Sequence, residues 1–193
     1  MRKPISDTER RKRRRRRRIQ VVIIYTALAV ALAWFLESQA TTTVIFVRHA
    51  EKAAQPADDP GLSPAGLRRA AELSRQLVDA DVIAGIDAVY STPFRRTEET
   101  ARPVAEALGL PINAYDANDT ESIMDYIVRE HKGKIILVVG HSNTVPALIG
   151  NMGASKRVPE IAEDEYDNIY IVSIPWFGKT KTIRLRYGEP YVP

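Results

Sequence analysis

Three histidines occur in the 193-residue chain, and two of them stand in matching places. His49 follows a short apolar run, Thr43-Val-Ile-Phe-Val-Arg48, and His141 follows Lys134-Ile-Ile-Leu-Val-Val-Gly140. Both runs read as buried β-strands, being short, continuous and rich in β-branched side chains. In open α/β sheets the functional crevice lies beyond the carboxyl ends of the strands, so both imidazoles arrive at one edge. A third segment, Ser91-Thr92-Pro93-Phe94-Arg95-Arg96-Thr97-Glu98-Glu99-Thr100, also leaves a strand and opens a helix. It carries guanidinium groups to a helix start, where backbone N–H groups favour anions.

Two arginines and two histidines around one crevice suit a tetrahedral dianion. A guanidinium meets two phosphate oxygens with parallel hydrogen bonds, which a lysine cannot do. A neutral imidazole is a competent nucleophile at phosphorus, and water resolves the covalent intermediate. A second, protonated imidazole would add positive charge as negative charge shifts during transfer. The plainer reading of each histidine is a structural one, satisfied at a strand end. A metal is not expected, because clustered arginines repel a cation, and no cofactor is called for. The chain has no cysteine, which excludes disulfides, thiol catalysis, zinc-thiolate and iron–sulfur sites.

Taken in order, Arg48-His49, the 91–100 segment and Gly140-His141-Ser142 resemble the histidine phosphatase superfamily, the phosphoglycerate-mutase-like group. The resemblance covers roughly residues 43–187. It implies that His49 accepts the phosphoryl group, that Arg48 ligates phosphate and that His141 is the second phosphate-binding histidine. The family's Ser-Ser-x-Leu-x-Arg-Ala spacing selects Arg96, not Arg95, as the second clamp. Backbone N–H groups near Ser142 and Asn143 would complete the pocket.

The resemblance breaks at the proton donor. Many relatives carry a Glu in a Leu-x-Glu-x-x-x-Gly-x-Trp-type segment after the third strand, whereas residues 113–121 here read Asn-Ala-Tyr-Asp-Ala-Asn-Asp-Thr-Glu. A leaving alkoxide needs a proton. Glu51 is the nearest carboxyl group in sequence, with Asp116, Asp119 and Glu121 as rivals. With none in service, phosphoramidates and other substrates with undemanding leaving groups are favoured. The segment is also too short for a mutase lid, so hydrolysis is expected over transfer back to substrate. The expected activity is hydrolysis of phosphomonoesters or phosphoramidates on a small molecule or a phosphoprotein. A catalytically weak phosphate-binding sensor or interaction domain is the alternative.

The elements that must place these residues alternate. Strands are expected over 43–48, 88–91, 111–115 and 134–140, with a closing pair over 169–174 and 180–186. A helix should start at Pro64 with Ser63 as its cap and run to about Ala80. A second should run over 95–108 to a stop at Gly109, kinked or restarted at Pro103. Thr120 is read as the cap of a third, and residues 143–151 as a fourth. The result is an α/β three-layer sandwich with a central, largely parallel sheet flanked by helices. His131 reads as a helix C-terminal cap, Arg95 and Arg68-Arg69 as solvated faces, and residues 160–167, with five carboxylates, as an exposed loop. Asn118-Asp119-Thr120 is a glycosylation sequon that matters only in a eukaryotic secretory setting.

The net charge of +4 conceals a division. Residues 1–18 hold 11 Lys+Arg against Asp7 and Glu9, a net of +9, which leaves −5 for the rest. An acidic body has no broad positive face for a phosphate backbone, so nucleic acid is not an expected partner. Residues 19–36 carry no charge, and as a helix they would measure about 27 Å, close to the hydrocarbon thickness of a bilayer. Trp34 and Phe35 mark the far interface. The expected organisation is a basic cytoplasmic segment (1–18), a transmembrane helix (19–36), a linker (37–42) and a catalytic domain (43–188). Residues 1–36 would contact membrane lipid, and the body would lie on the opposite, periplasmic or extracytoplasmic side. A cleaved secretory signal is the competing reading, with Ser38-Gln39-Ala40 as its cleavage site.

Overall fold

The computed structural model describes residues 7–38, 41–79, 85–154 and 158–192. The chain divides into two compact units, Met1–Gln39 and Ala40–Pro193. The first contains the helix α1 (Asp7–Ser38), long and apolar enough over Thr8–Leu36 to cross a membrane. The helix extends N-terminally beyond the uncharged stretch and takes in the arginine run. Arginine is a good helix former, and neither Gly nor Pro interrupts the segment. The proposed cleavage residues Gln39 and Ala40 lie outside the described residues.

In the second unit the order is β1 (Thr41–Arg48), α2 (Pro64–Val78), β2 (Ala88–Ser91), α3 (Arg95–Leu108), β3 (Ile112–Ala114), α4 (Thr120–Glu130), β4 (Ile135–Gly140), α5 (Thr144–Asn151), β5 (Asn168–Pro175) and β6 (Lys181–Arg186). One six-stranded sheet has the order β3-β2-β4-β1-β5-β6. The pairs β1–β4, β2–β4 and β2–β3 are parallel, and β1–β5 and β5–β6 are antiparallel.

Alternation within the central strands explains the layers. Val44, Phe46, Ile136 and Val138 enter one core, closed by Met124 and Ile127 of α4 and by Val145, Leu148 and Ile149 of α5. Ile45, Val47, Leu137 and Val139 enter the other, closed by Leu73 of α2 and by Ala101, Val104 and Ala105 of α3. A strand buried on both faces has no polar positions to alternate, which is why these runs are continuously apolar.

The helix punctuation follows the sequence closely. The Ser63 hydroxyl accepts the Gly66 N–H at 3.1 Å with Pro64 opening α2, and Gly109 ends α3 at φ 65°. Two local expectations are corrected. Asp119, not Thr120, caps α4: its Oδ1 accepts the Ser122 N–H at 3.1 Å, while the Thr120 hydroxyl accepts from Asn151. Helix α3 runs through Pro103 without restarting.

Candidate active site

Register brings the two histidines together. In the β1–β4 pair Arg48 lies opposite Gly140, so His49 and His141 are the next residues on neighbouring strands. The His49 N–H donates to the Gly140 carbonyl at 2.9 Å, and the ring centroids stand 5.3 Å apart, edge to face. Ser91 pairs with Val139, which sets Thr92 beside His141 on the other flank. Gly140 is required by space: a Cβ there would lie 2.7 Å from the Thr144 hydroxyl and 2.9 Å from that of Tyr115. The same Thr144 hydroxyl accepts the His141 N–H at 2.8 Å.

The hydrogen bonds assign the tautomer of each imidazole. Nδ1 of His49 lies 2.8 Å from the Ala50 carbonyl, which can only accept. Nδ1 therefore carries the proton, and Nε2 keeps a free lone pair. At His141 two threonines decide the tautomer. The Thr97 hydroxyl gives its one proton to backbone carbonyls, those of Thr92 at 2.8 Å and Phe94 at 2.7 Å. Thr92 must then donate to Thr97 across 2.9 Å, and it can only accept from Nε2–H of His141 at 3.0 Å.

Both rings are buried, 5% and 9% exposed. Burial, then the positive charge of Arg48 and the proximity of His141 and Arg96, lowers the pKa of His49 to about 3 against a raising contribution from its bond to Ala50. Burial, then Arg96 and Arg48, lowers that of His141 to about 4. Both imidazoles are thus neutral at pH 7. An anion beside the two arginines would offset their charge and raise the His141 pKa again.

Arg48, 5% exposed, is held from below by the acidic segment 160–167. Its Nη1 donates to the carbonyls of Ala162 at 2.6 Å and Glu165 at 3.0 Å, and its guanidinium sits 4.2 Å from the Tyr166 ring centroid. Its Nε is buried without a protein partner. Residues 160–167 are therefore not an exposed loop throughout. Asp167 is fully buried and takes two short bonds from Arg186 Nη1, at 2.7 and 2.8 Å, and Glu165 pairs with Arg186 Nη2 at 3.2 Å. Burial alone would raise the Asp167 pKa, but Arg186 and the Tyr191 N–H outweigh it and hold it below the ordinary value.

Arg96 stands in the first turn of α3, 4.6 Å from the Phe94 ring centroid and 3.9 Å from the Asp59 carboxylate. The N–H of Arg95 also donates to Asp59, so the start of α3 is capped by the chain's own anion. Arg48, His49, Arg96, His141, Ser142 and Asn143 all line one cavity of about 520 Å³. Its rim also includes Lys52, Asn118 and Glu163, the last being the one carboxylate among the lining residues described.

Glu51 is not brought to that cavity. Its Oε1 accepts from Nε of Arg69 at 2.8 Å, and the pair faces a separate hollow between α2 and residues 188–189. Arg69 is accordingly not a solvated side chain; it also donates to the carbonyls of Tyr187 and Glu189. The rival acids are committed as well: Asp116 to the Asn118 N–H and Asp119 to its cap, with Glu121 outside the lining. His131 occupies the C-terminal cap of α4, as expected, and its Nε2 meets the Tyr90 hydroxyl at 2.7 Å. The sequence reading missed Thr92, Thr97, Phe94 and Tyr166. Thr92, Phe94 and Thr97 sit inside a segment already singled out, whereas Tyr166 gives no signal beyond being an aromatic among carboxylates.

Comparison with known proteins bears on the fold and the family. The sequence profile of the histidine phosphatase superfamily (branch 1) matches residues 44–117, a span that includes Arg48, His49 and Arg96 but not His141. The protein histidine phosphatase SixA, solved with tungstate, superposes with a TM-score of 0.63 at 21% identity, over 75% of this chain and 96% of that one. A mutant phosphoserine phosphatase of Entamoeba histolytica in complex with phosphoserine gives 0.56 at 14% identity, over 76% and 96%. A mycobacterial glucosyl-3-phosphoglycerate phosphatase gives 0.55 at 12% identity, over 69% and 90%. No curated protein matches the chain. The resemblance to the superfamily and the three-layer fold both stand.

Proposed function

We propose that this chain, which has the histidine phosphatase fold and matches that superfamily's profile over the strand and helix carrying His49 and Arg96, is a membrane-anchored phosphohydrolase. One observation carries the reading. The Nδ1 proton of His49 is spent on the Ala50 carbonyl, so Nε2 keeps a lone pair in a cavity shared with Arg48, Arg96 and His141.

Nε2 of His49 attacks phosphorus, forming an N–P bond as the bond to the leaving oxygen or nitrogen breaks. Arg48 and Arg96 hold the equatorial oxygens, with the N–H groups of Ser142 and Asn143 beside them. As the dianion docks, His141 gains a proton at Nδ1, opposite its bond to Thr92, and becomes a third cationic contact. Water then cleaves the N–P bond, returning His49 to the neutral tautomer. No step requires a metal ion.

The position of Glu51 bears on the substrate. Its pairing with Arg69 removes it from the leaving group, and Glu163, the one carboxylate among the described lining residues, stands exposed at the rim. Leaving groups that need little protonation, such as aryl phosphates and N-phosphoryl imidazoles, should therefore be favoured over alkyl phosphates. The anchor is α1, with residues 1–18 cytoplasmic, 19–36 in the bilayer and the catalytic unit across the membrane.

The test is hydrolysis of a chromogenic aryl phosphate by the full chain, with His49→Ala as control. Turnover that survives EDTA and disappears in the variant supports the enzyme. A wild type with no turnover, yet stabilised against heat by phosphate, would make it the sensor instead.

A further inference from the structure

We propose that the β5–β6 hairpin tip is a second membrane contact, docking into the headgroup layer beside the point where the chain leaves the bilayer. The inference rests on the reading of α1 as a membrane span. The tip is Trp176-Phe177-Gly178-Lys179, with Lys181 opening β6. Trp176 is 74% exposed and Phe177 92%, and they are consecutive. A soluble domain gains nothing from holding two aromatic rings in water, whereas the interfacial layer is where indole and phenyl groups collect. Lys179 and Lys181 are also exposed and suit an anionic headgroup surface.

The sheet register supplies the location. Pro175, which precedes Trp176, is the strand partner of Thr41. Residues opposite each other in an antiparallel pair lie about 5 Å apart. The uncharged stretch ends at Leu36, and five residues reach at most about 18 Å, so Thr41 is tethered near the membrane surface. The covalent tether therefore keeps the tip within reach of lipid. Arg48 and His49 lie at the other end of β1, eight residues and about 25 Å away. Two contacts at one end of the sheet would direct the cleft away from the bilayer, towards soluble or protein-borne phosphate.

The chain has two tryptophans, which makes the test direct. Single-tryptophan full-length chains, Trp34→Phe and Trp176→Phe, are reconstituted in phosphatidylcholine–phosphatidylglycerol vesicles containing acyl chains brominated near the headgroup. Trp176 as the sole tryptophan should be blue-shifted, quenched severalfold by the brominated lipid and shielded from acrylamide. Trp34 quenched while Trp176 stays open to acrylamide would overturn the docking and leave the anchor intact. A Trp176 that is blue-shifted but not quenched by bromine would also overturn it, assigning the tip to a protein surface. Trp34 beyond the reach of the brominated lipid would overturn the anchor, and the docking with it.

Discussion

At the scale of single residues, the chemistry turns on which nitrogen of each imidazole holds a proton. The donor at His49 is fixed by a backbone carbonyl, and at His141 by a relay of two threonine hydroxyls ending on Thr92. Thr92→Val removes the acceptor for Nε2–H and leaves a buried donor unpaired, at a cost of about 1–3 kcal/mol. We expect kcat/KM to fall roughly tenfold, with Thr92→Ser restoring it and the ring-nitrogen shifts of His141 reporting a mixed tautomer in the valine variant alone. An unchanged tautomer would remove Thr92 from the account. Arg96→Ala, which removes one of the two guanidinium groups lining the cavity, should cost on the order of a hundredfold in the same constant.

The depressed pKa values give a second residue-scale expectation. Folded values of about 3 for His49 and about 4 for His141 lie below the ordinary 6.5. Between those limits the unfolded chain binds more protons than the folded one, so stability rises with pH. The contribution is complete above about 6.5 and drains as pH falls through the window towards the folded values. The thermal midpoint in detergent should therefore drop between pH 7.5 and 5, and His49→Gln/His141→Gln should flatten the drop. Ring proton shifts of His49 and His141 that titrate near 6.5 in the wild type would contradict this. The histidines themselves were legible from sequence because each follows an apolar run. Their protonation was not, because it depends on burial and on carbonyls and hydroxyls contributed by neighbouring strands.

Secondary structure was most legible where local chemistry decides it. Ser63-Pro64 opening α2 and Gly109 closing α3 are determined by the residues at those positions. The failures came where a distant partner decides. Residues 160–167 look like a solvated acidic loop, yet Arg186 of the last strand pairs with Asp167 and Glu165 and holds the segment beneath Arg48. Glu51 looked near the nucleophile, but Arg69 of α2 turns it away. Removing the first of these partners is informative. Arg186→Leu leaves Asp167 buried without its cation, which should destabilise the protein by about 2 kcal/mol in urea titration. Because the carbonyls of Ala162 and Glu165 orient Arg48, the apparent affinity for phosphate should weaken as well. A variant that loses stability but binds phosphate as before would show that the segment supports the fold without supporting the clamp.

For the whole molecule, the basic pI belongs to one end. The +9 of residues 1–18 precedes an uncharged helix, and the remainder carries a net −5. Charge bias of this kind sets orientation in a bilayer. A reporter fused after Pro193 should be active only on the far side of the membrane, and activity confined to the cytoplasm would reverse the topology. That division was legible from residue order alone. The β1–β5 register, which puts the exposed aromatic tip beside Thr41, was not, because antiparallel pairing between strands more than a hundred residues apart has no local signature.

The central claim is that phosphate passes through His49, and trapping that intermediate tests it most directly. The full-length chain is mixed with radiolabelled aryl phosphate, quenched in base within the first turnover, and digested. Label that is stable in base, labile in acid and confined to the peptide containing His49 is the predicted result, together with its absence from His49→Ala and a loss of turnover on the order of 10⁴-fold or more. Steady hydrolysis without such label, or a His49→Ala variant that still turns over, would contradict the account.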